Sequence, residues 1–307
     1  MHKTCTRCLR EFPATAEYFY RLARNPDGLR NQCKQCLCDK TTKQRPVQAA
    51  PKRSSNSRTI LLLPDLHVPD HDKAAWYAIV RAWLPMHPVD EVVFLGDFLE
   101  LESCSQHPGT DFTTLLEDFS AGKGVLREVR AACSSAQLTL LEGNHETRLR
   151  RITAAQLPQI AGALTVKVGL SLDEIGATWV PEDEQPIVRG DLDITHGHQT
   201  LGEGFGSKYH AVKMVDTYGE PGHTVVYAHT HKHQAYLKPS KRGNQLGLGL
   251  GCLRTLRPGW LHGREAGWCH QFAVAYVRPN SHTDVVVVTI TDGAFVWGGE
   301  LYAWPRG

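Results

Sequence analysis

The sequence lacks long hydrophobic runs, and it lacks an apolar segment near its N-terminus. No stretch of its 307 residues approaches the roughly 18 consecutive apolar residues of a membrane-spanning helix. Met1 to Cys5 contain no apolar core of the kind that a secretory signal requires. These absences argue against membrane insertion and secretion, so the sequence predicts a cytoplasmic protein without membrane contact.

A large net charge is also missing, because the formal value is only +2. The charge is nevertheless unequally distributed along the chain. Residues 1–58 hold 13 Lys and Arg against 4 Asp and Glu, whereas the remainder holds 21 against 28. This basic excess favours contact with a polyanion, although a solvated basic tail would have the same composition.

Five of the nine cysteines lie within the first 38 residues. Cys5-x-x-Cys8 and Cys33-x-x-Cys36, separated by 24 residues, have the spacing of a tetrahedral structural zinc site. Cys38 is an alternative to Cys36 as the fourth ligand. So short a segment buries little apolar surface, and a metal would supply the missing folding energy. Free thiols are the alternative, and disulfides would require an oxidising compartment.

Residues 2–40 also carry a recognisable pattern around these cysteines. It reads K-x-C-x-x-C, then a Phe/Tyr pair, then D-G-L-R-x-x-C-K-x-C. The pattern resembles the small zinc-binding module of phage and bacterial HNH-type and endonuclease VII-like nucleases. HNH catalytic residues are not evident, so the resemblance implies only zinc binding and a bias toward nucleic acid. Bacterial or phage-infected cytoplasm is the location it implies.

Residues 41–58 are rich in Gln, Pro, Ala, Ser, Lys and Arg and have no hydrophobic period, which predicts a flexible or extended linker. Its cationic side chains would either lie along phosphates or simply be solvated. They are Lys43, Arg45, Lys52, Arg53 and Arg58.

Residues 59–307 are predicted to form the main domain. Apolar runs at 59–63, 91–95 and 138–141 predict buried strands, and they alternate with helical segments, including 112–133 with a break near Gly122 and Gly124. This order indicates an α/β domain. Ligands in such sheets collect at the carboxyl ends of strands.

Polar clusters follow each of these three strands, and histidine pairs follow two later strands. A second, β-rich half stacked on the first would give two packed sheets with a site along one rim. Carboxylate, imidazole and amide ligands together suit divalent Mn, Fe, Ni or Zn. The five clusters are Asp65-x-His67, Gly96-Asp97, Gly143-Asn144-His145-Glu146, His196-Gly197-His198 and His229-x-His231.

In this order the clusters resemble the motifs of the calcineurin-like metallophosphoesterase superfamily, over residues 59–277. The resemblance implies a four-layer α/β/β/α sandwich and a hydrolase that uses two metal ions. Such a pair of ions activates water and neutralises phosphate charge. The last motif reads Ala228-His229-Thr230-His231, with Ala where the family has Gly, and this departure changes no ligand.

The resemblance also implies a role for each matched residue. One metal would be bound by Asp65, His67 and His231, and the other by Asn144, His196 and His229, with Asp97 between them. His145 would serve as an acid or base, or would stabilise charge on the scissile phosphate, and Glu146 would orient His145 or cap the next helix. His198 is the alternative to His196.

Arg148 and Arg151 lie on one face of the helix that follows the third motif. One of them could bind a substrate phosphate, although a solvated basic face is the alternative.

The resemblance implies a phosphoester substrate, and other sequence features favour some classes of phosphoester over others. The Asp-Arg-Gly sequence of calcineurin-type protein phosphatases is missing after Gly96-Asp97, which argues against that branch. The zinc module and basic linker favour DNA or RNA, and hence a nuclease or phosphodiesterase. The alternatives are a small-molecule or cyclic-nucleotide phosphodiesterase or phosphomonoesterase, and a non-catalytic zinc-dependent binding protein.

Overall fold

A computed structural model describes residues 2–6, 10–23, 25–35, 57–106, 112–200, 208–278 and 283–304. The chain forms two compact units, residues 1–53 and residues 54–307. Cys8, Cys36, Cys38 and most of the predicted linker, including Lys43, Arg45, Lys52 and Arg53, lie outside the described residues.

The first unit contains two short antiparallel hairpins. Strand β1 (His2–Thr4) pairs with β2 (Glu11–Pro13), and β3 (Phe19–Arg21) pairs with β4 (Leu29–Cys33). Its described core consists of four buried side chains: Cys5, Phe19, Leu29 and Cys33. The Cys33 amide donates a hydrogen bond to Cys5 Sγ at 3.2 Å, so one cysteine from each predicted pair lies in the same small core.

The second unit begins with a six-stranded sheet and its helices. Strand β5 starts at Arg58, whose guanidinium lies 3.0 Å from the Glu91 carboxylate, so this residue belongs to the first strand rather than to a linker. The strands of this sheet are β5 (Arg58–Leu63), β6 (Glu91–Phe94), β7 (Gln137–Leu141), β8 (Ala177–Val180), and later β14 (His270–Val277) and β15 (Asp284–Ile290). Strands β5 to β8 are parallel neighbours, and β14 lies antiparallel between β5 and β15.

The second sheet has five strands: β9 (Ile187–Arg189), β10 (Leu192–Ile194), β11 (Thr224–Tyr227), β12 (Gln234–Lys238) and β13 (Gln245–Gly249). Their order across the sheet is β12-β13-β11-β10-β9, and β10, β11 and β13 are parallel to one another. A separate hairpin joins β16 (Ala294–Trp297) to β17 (Glu300–Ala303).

Helices cover the outer faces of the two sheets. They are α1 (Lys73–Tyr77, continued as a π-helix over Ala78–Trp83), α2 (Leu115–Ala132), α3 (Asn144–Gln156), α4 (Val166–Gly169), α5 (Leu172–Ile175) and α6 (His210–Tyr218). The expected break in α2 was wrong, because the helix runs continuously past Gly122. A Cβ there would lie 2.7 Å from Leu170, so this glycine allows close packing rather than a bend.

Apolar clusters fill the space between these layers. One packs the six-stranded sheet against α1 to α5, a second joins the facing sides of the two sheets, and a third packs α6 on the five-stranded sheet. The predicted α/β class and layered sandwich are therefore confirmed.

The division of strands between the sheets differs from the expectation of one sheet per half of the chain. Strands β14 and β15 come late in the sequence, yet they extend the first sheet through the pairing of β14 with β5. Along the described parts of the chain, every helix is too short or too polar to span a bilayer.

Candidate metal centre

Three polar clusters lie at the carboxyl ends of β5, β6 and β7. Asp65 and His67 follow β5, Asp97 follows β6, and Asn144 is the first residue of α3 after β7. Because these strands are parallel neighbours, their ends share one edge of the sheet.

The second sheet brings its histidines to the same site. His196 follows β10, and His229 and His231 follow β11, its parallel neighbour. The His229 amide donates to both carboxylate oxygens of Asp65, at 3.2 and 3.0 Å, so the loops of the two sheets contact each other directly.

Asp65, His67 and His231 form the first group of ligand atoms, all within 4.8 Å of one another and all buried. The Nε2 atoms of His67 and His231 are 3.1 Å apart, and His231 Nε2 lies 3.6 Å from Asp65 Oδ1. Two imidazole nitrogens and a carboxylate that converge in this way fit a single transition-metal ion.

Asp97, His196 and His229 form the second group, again within 4.8 Å. His196 Nε2 lies 3.5 Å from Asp97 Oδ1 and 3.1 Å from Asn144 Oδ1. Asn144 therefore contributes its amide oxygen to the same group.

Asp97 occupies the centre of the arrangement. Its Oδ2 atom lies 3.8 Å from His67 Nε2 of the first group, while Oδ1 faces His196 of the second. It also belongs to a third cluster, with His67 and His145. The seven side chains predicted as ligands are thus brought together in one site.

The backbone at this site is unusual, since five of the seven predicted ligands have a positive φ. Left-handed backbone is costly for residues other than glycine and persists where the surrounding structure enforces it. Ala228, which replaces the family glycine, is not among the positive-φ residues, so alanine is compatible with the local backbone. The five are Asp65, His67, Asp97, His229 and His231.

Hydrogen bonds to ring nitrogens fix which nitrogen of each histidine faces the site. His196 Nδ1 lies 2.9 Å from the Leu95 carbonyl oxygen, and His145 Nδ1 lies 2.6 Å from that of Glu100. A carbonyl only accepts, so both Nδ1 atoms donate, which leaves Nε2 free for a metal or a proton.

The electrostatics suit divalent cations. Burial lowers the pKa of His67 well below its usual range and that of His145 to about 4, so both imidazoles are neutral near pH 7. His196 and His145 hold the pKa of Asp97 well below its usual range despite burial. Burial opposes protonation of His196, but Asp97 and then Asp65 raise its pKa to about 9. The site therefore attracts positive charge.

A buried ring nitrogen gives a second indication of fit. Nδ1 of His229, a member of the second ligand group, has no hydrogen-bond partner anywhere in the described part of the chain. Buried polar atoms are normally paired, and a bound metal would pair this nitrogen. The residues present therefore fit a pair of divalent ions.

Glu146 organises the loops rather than joining the ligands. Its carboxylate accepts from the amides of Asp97 at 3.0 Å, Leu99 at 2.9 Å and Gly143 at 2.9 Å. It thereby caps α3, one of the two roles expected for it. Gly143 has extended backbone, and a Cβ there would collide with Asp97.

Sequence reasoning missed three residues around the ligands, of which Glu100 and Arg254 are buried and Gln185 is partly buried. Glu100 Oε2 lies 2.7 Å from His67 Nδ1, and Arg254 lies 3.4 Å from the same carboxylate oxygen. The side-chain oxygen of Gln185 accepts from the His196 amide at 2.9 Å. Only Glu100 had a detectable signal, as an acidic residue three positions after Asp97.

Of the remaining residues considered from the sequence, Arg148 lies beside His145, whereas Arg151 and His198 do not belong to the ligand groups. Arg148 Nη2 lies 2.9 Å from His145 Nε2, and its Nη1 donates to the Glu100 carbonyl. Arg151 is exposed and forms no hydrogen bond or ion pair with the described residues. His198 lies 3.0 Å from Glu182, and only His196 belongs to the second ligand group.

Comparison with known proteins agrees with this fold and site. The family model for calcineurin-like phosphoesterases matches residues 58–233, more than half of the chain. The chain belongs to this family. It is accordingly a metal-dependent hydrolase of phosphoester bonds, and the family binds two divalent metals.

One similar protein carries the name of a different class of enzyme. The "SPbeta prophage-derived putative HNH endonuclease YoqL" of Bacillus subtilis (strain 168) is 37% identical over 65 residues. The match covers 21% of this chain and 28% of the relative, so the chain spans less than a third of that protein's length.

Proposed function

We propose that the protein is a two-metal phosphodiesterase that cleaves DNA or RNA. The convergence of seven ligand side chains from two sheets, with Asp97 between the two groups, supports the two-metal part of this proposal. The basic excess of residues 1–58 and the partial likeness to a protein named as an HNH endonuclease support the choice of nucleic acid.

In this proposal each ligand group holds one ion. Asp65, His67 and His231 would bind the first. Asn144, His196 and His229 would bind the second, and Asp97 would contact both. Bound metals supply an activated water and offset the charge of the phosphate. Mn, Fe, Ni and Zn all suit the ligand set of carboxylate, imidazole and amide oxygen.

His145 is the proposed proton-transfer group. Its Nδ1–H bond to the Glu100 carbonyl fixes the ring, and the neutral Nε2 atom points toward Asp97 at 3.9 Å. Arg148 is 2.9 Å from the same Nε2 atom and brings a positive charge to it. Because the proton of the neutral ring is on Nδ1, His145 Nε2 would act as a base and accept a proton during hydrolysis, and Arg148 would offer the phosphate a guanidinium donor.

For the first unit we propose a structural zinc ion held by Cys5, Cys8, Cys33 and Cys36. The burial of Cys5 and Cys33 in one small core supports this proposal. Reduced thiolates require a reducing compartment, which agrees with a cytoplasmic location in a bacterial or phage-infected cell.

A substrate panel tests the proposed function. Protein reconstituted with Mn, Fe, Ni or Zn is assayed on labelled single- and double-stranded oligonucleotides, bis-p-nitrophenyl phosphate and p-nitrophenyl phosphate. We expect hydrolysis of the oligonucleotides and of the diester, with little hydrolysis of the monoester. Asp97→Ala is the control, and it should abolish activity without loss of the folded state.

Two outcomes would contradict the proposal. Hydrolysis of small esters without cleavage of any oligonucleotide would make the enzyme a small-molecule phosphoesterase. Full activity in pure Asp97→Ala protein would remove the role of the metal site. Repeating the panel without residues 1–53 shows whether the first unit contributes to oligonucleotide binding.

A further inference from the structure

An aromatic surface continues from the first ligand group toward solvent. The ring of Trp268 lies 4.5 Å from the ring of the ligand candidate His231, with an interplanar angle of 66°. The ring of Trp260 lies 5.7 Å beyond Trp268, at an angle of 64°. Two indoles thus lead away from the metal centre along the segment between β13 and β14.

Trp260 is 52% exposed, and Trp268 lies between it and the ligand candidate His231. Tryptophan is highly buried on average, and where it is exposed it is enriched at interfaces. Packing of the core does not explain its position, because Trp260 belongs to no described apolar cluster.

A buried guanidinium lies beside both rings. Arg254 Cζ is 5.9 Å from the centroid of Trp260 and 5.6 Å from that of Trp268, and its side chain is only 3% exposed. Contacts with Glu100 at 3.4 Å and Asp70 at 3.6 Å hold it in place. These contacts connect the aromatic surface to Glu100, which touches the ligand candidate His67.

The same segment carries exposed positive charge. Arg257 and Arg264 are both exposed, against one exposed acidic residue, Glu265, between Arg257 and Trp268. Aromatic rings interleaved with cationic side chains are the usual arrangement for binding unpaired nucleotides, because bases stack on the rings while phosphates meet the charges.

We infer that Trp260 and Trp268 form a stacking platform for the unpaired base next to the scissile phosphate, so that the substrate is single-stranded nucleic acid. This inference rests on the proposed function and specifies its substrate. Bases inside a duplex stack on each other and cannot stack on a side chain without being extruded from the helix. Trp260 is therefore a specificity-determining residue that acts on binding and not on chemistry.

The test compares Trp260→Ala with Trp304→Ala. Trp304 is also exposed, at 38%, but among the described residues its ring contacts Tyr77 and Arg81, which lie outside the segment between β13 and β14. Each variant is assayed with a single-stranded oligonucleotide, and with the same oligonucleotide lacking the base beside the cleaved bond. Trp268 is left intact because its ring touches His231.

We expect Trp260→Ala to raise KM for the intact oligonucleotide roughly 5- to 100-fold with little change in kcat, as expected for loss of one stacked base. The abasic oligonucleotide should be cleaved equally by wild type and variant, Trp260→Phe should restore most of the loss, and Trp304→Ala should behave as wild type. Fluorescence anisotropy of a labelled, non-hydrolysable oligonucleotide with metal-loaded protein should show the same difference in affinity without chemistry.

Three outcomes would overturn the inference. An equal effect of Trp260→Ala on intact and abasic strands, or no effect on either, would show that no base stacks there. Faster cleavage of duplex than of single strand by wild type would show that unpaired bases are not the substrate. Failure of the proposed function itself would give a different result, because wild-type protein would then cleave small diesters but no oligonucleotide. The inference would fail together with the proposed function in that case.

Discussion

The two units of the chain differ in how much apolar core supports each one. In its described residues the first unit has a core of four side chains, two of which are cysteines. The second has large apolar clusters on both faces of its six-stranded sheet. Apolar burial is the main stabilising contribution to folding, so the second unit folds around its core and carries metal ligands on its rim. The first has a much smaller described core, and the zinc ion proposed there would supply the missing folding energy.

The largest expected effect follows from metal removal. Treatment with a strong chelator should abolish phosphoester hydrolysis while the second unit stays folded, because its core does not depend on the ions. The first unit should unfold under the same treatment. Limited proteolysis and far-UV circular dichroism, together with activity before and after metal is restored, measure both responses. Cooperative unfolding of both units on chelation would remove the contrast between them.

Replacement of one proposed zinc ligand should separate the units without a chelator. Cys33→Ala should remove one equivalent of zinc and make residues 1–53 sensitive to proteases, since structural zinc contributes about 10–16 kcal/mol to folding of such modules. Hydrolysis of bis-p-nitrophenyl phosphate should remain within about twofold of wild type. Cys104→Ala is the matched control, because this buried cysteine lies in the second unit. A Cys33→Ala protein that keeps its zinc and its protease resistance would argue against a metal core.

Substitution of His145 should affect chemistry alone. His145→Ala should lower kcat by roughly 10²- to 10⁴-fold, the usual contribution of a positioned proton-transfer group. Metal content and melting temperature should stay near wild type, because its ring nitrogens contact Glu100 and Arg148 and are not needed to hold an ion. Steady-state kinetics and metal analysis provide the readout. Loss of one metal equivalent together with activity would instead identify His145 as a ligand.

The smallest expected effect concerns the loops that carry the ligands. Above pH 8, where Glu146 is ionised, Glu146→Gln should lower the free energy of unfolding by about 1–3 kcal/mol, because an amide nitrogen cannot accept from backbone N–H groups that the carboxylate now pairs. The exposed capping residue Glu117 of α2 gives a matched control, and Glu117→Gln should cost much less. Denaturant unfolding of metal-free protein measures both.

The size of the stability loss in Glu146→Gln depends on whether Glu146 is ionised. Burial, and then the Asp97 carboxylate, raise the pKa of Glu146 to about 8, whereas the three amide donors favour the charged form. Equal stability of Glu146→Gln and wild type at pH 7 would show that Glu146 is already neutral.

The convergence of the proposed metal ligands was predictable because parallel strands place their carboxyl ends at one edge, and the motifs mark those ends. Glu100 and Arg254 were not recognised as partners because they are 154 positions apart and no local pattern relates them. The placement of β14 beside β5 depends on pairing between the ends of the domain, which periodicity within a segment does not reveal. The aromatic surface of Trp260 and Trp268 likewise appears only when both residues are seen next to His231.

The proposed ligand groups draw residues from both sheets, and this has a mechanical consequence. In each group, a carboxylate from the six-stranded sheet faces a histidine from the five-stranded sheet: Asp65 faces His231, and Asp97 faces His196. Ions bound there would cross-link the open rim of the sandwich, while the apolar cluster holds the sheets together inside. The sheets could then separate only after metal bonds break, so bound metal would slow the rate of unfolding as well as shift its equilibrium. The catalytic centre would thus also stabilise the two-sheet fold kinetically.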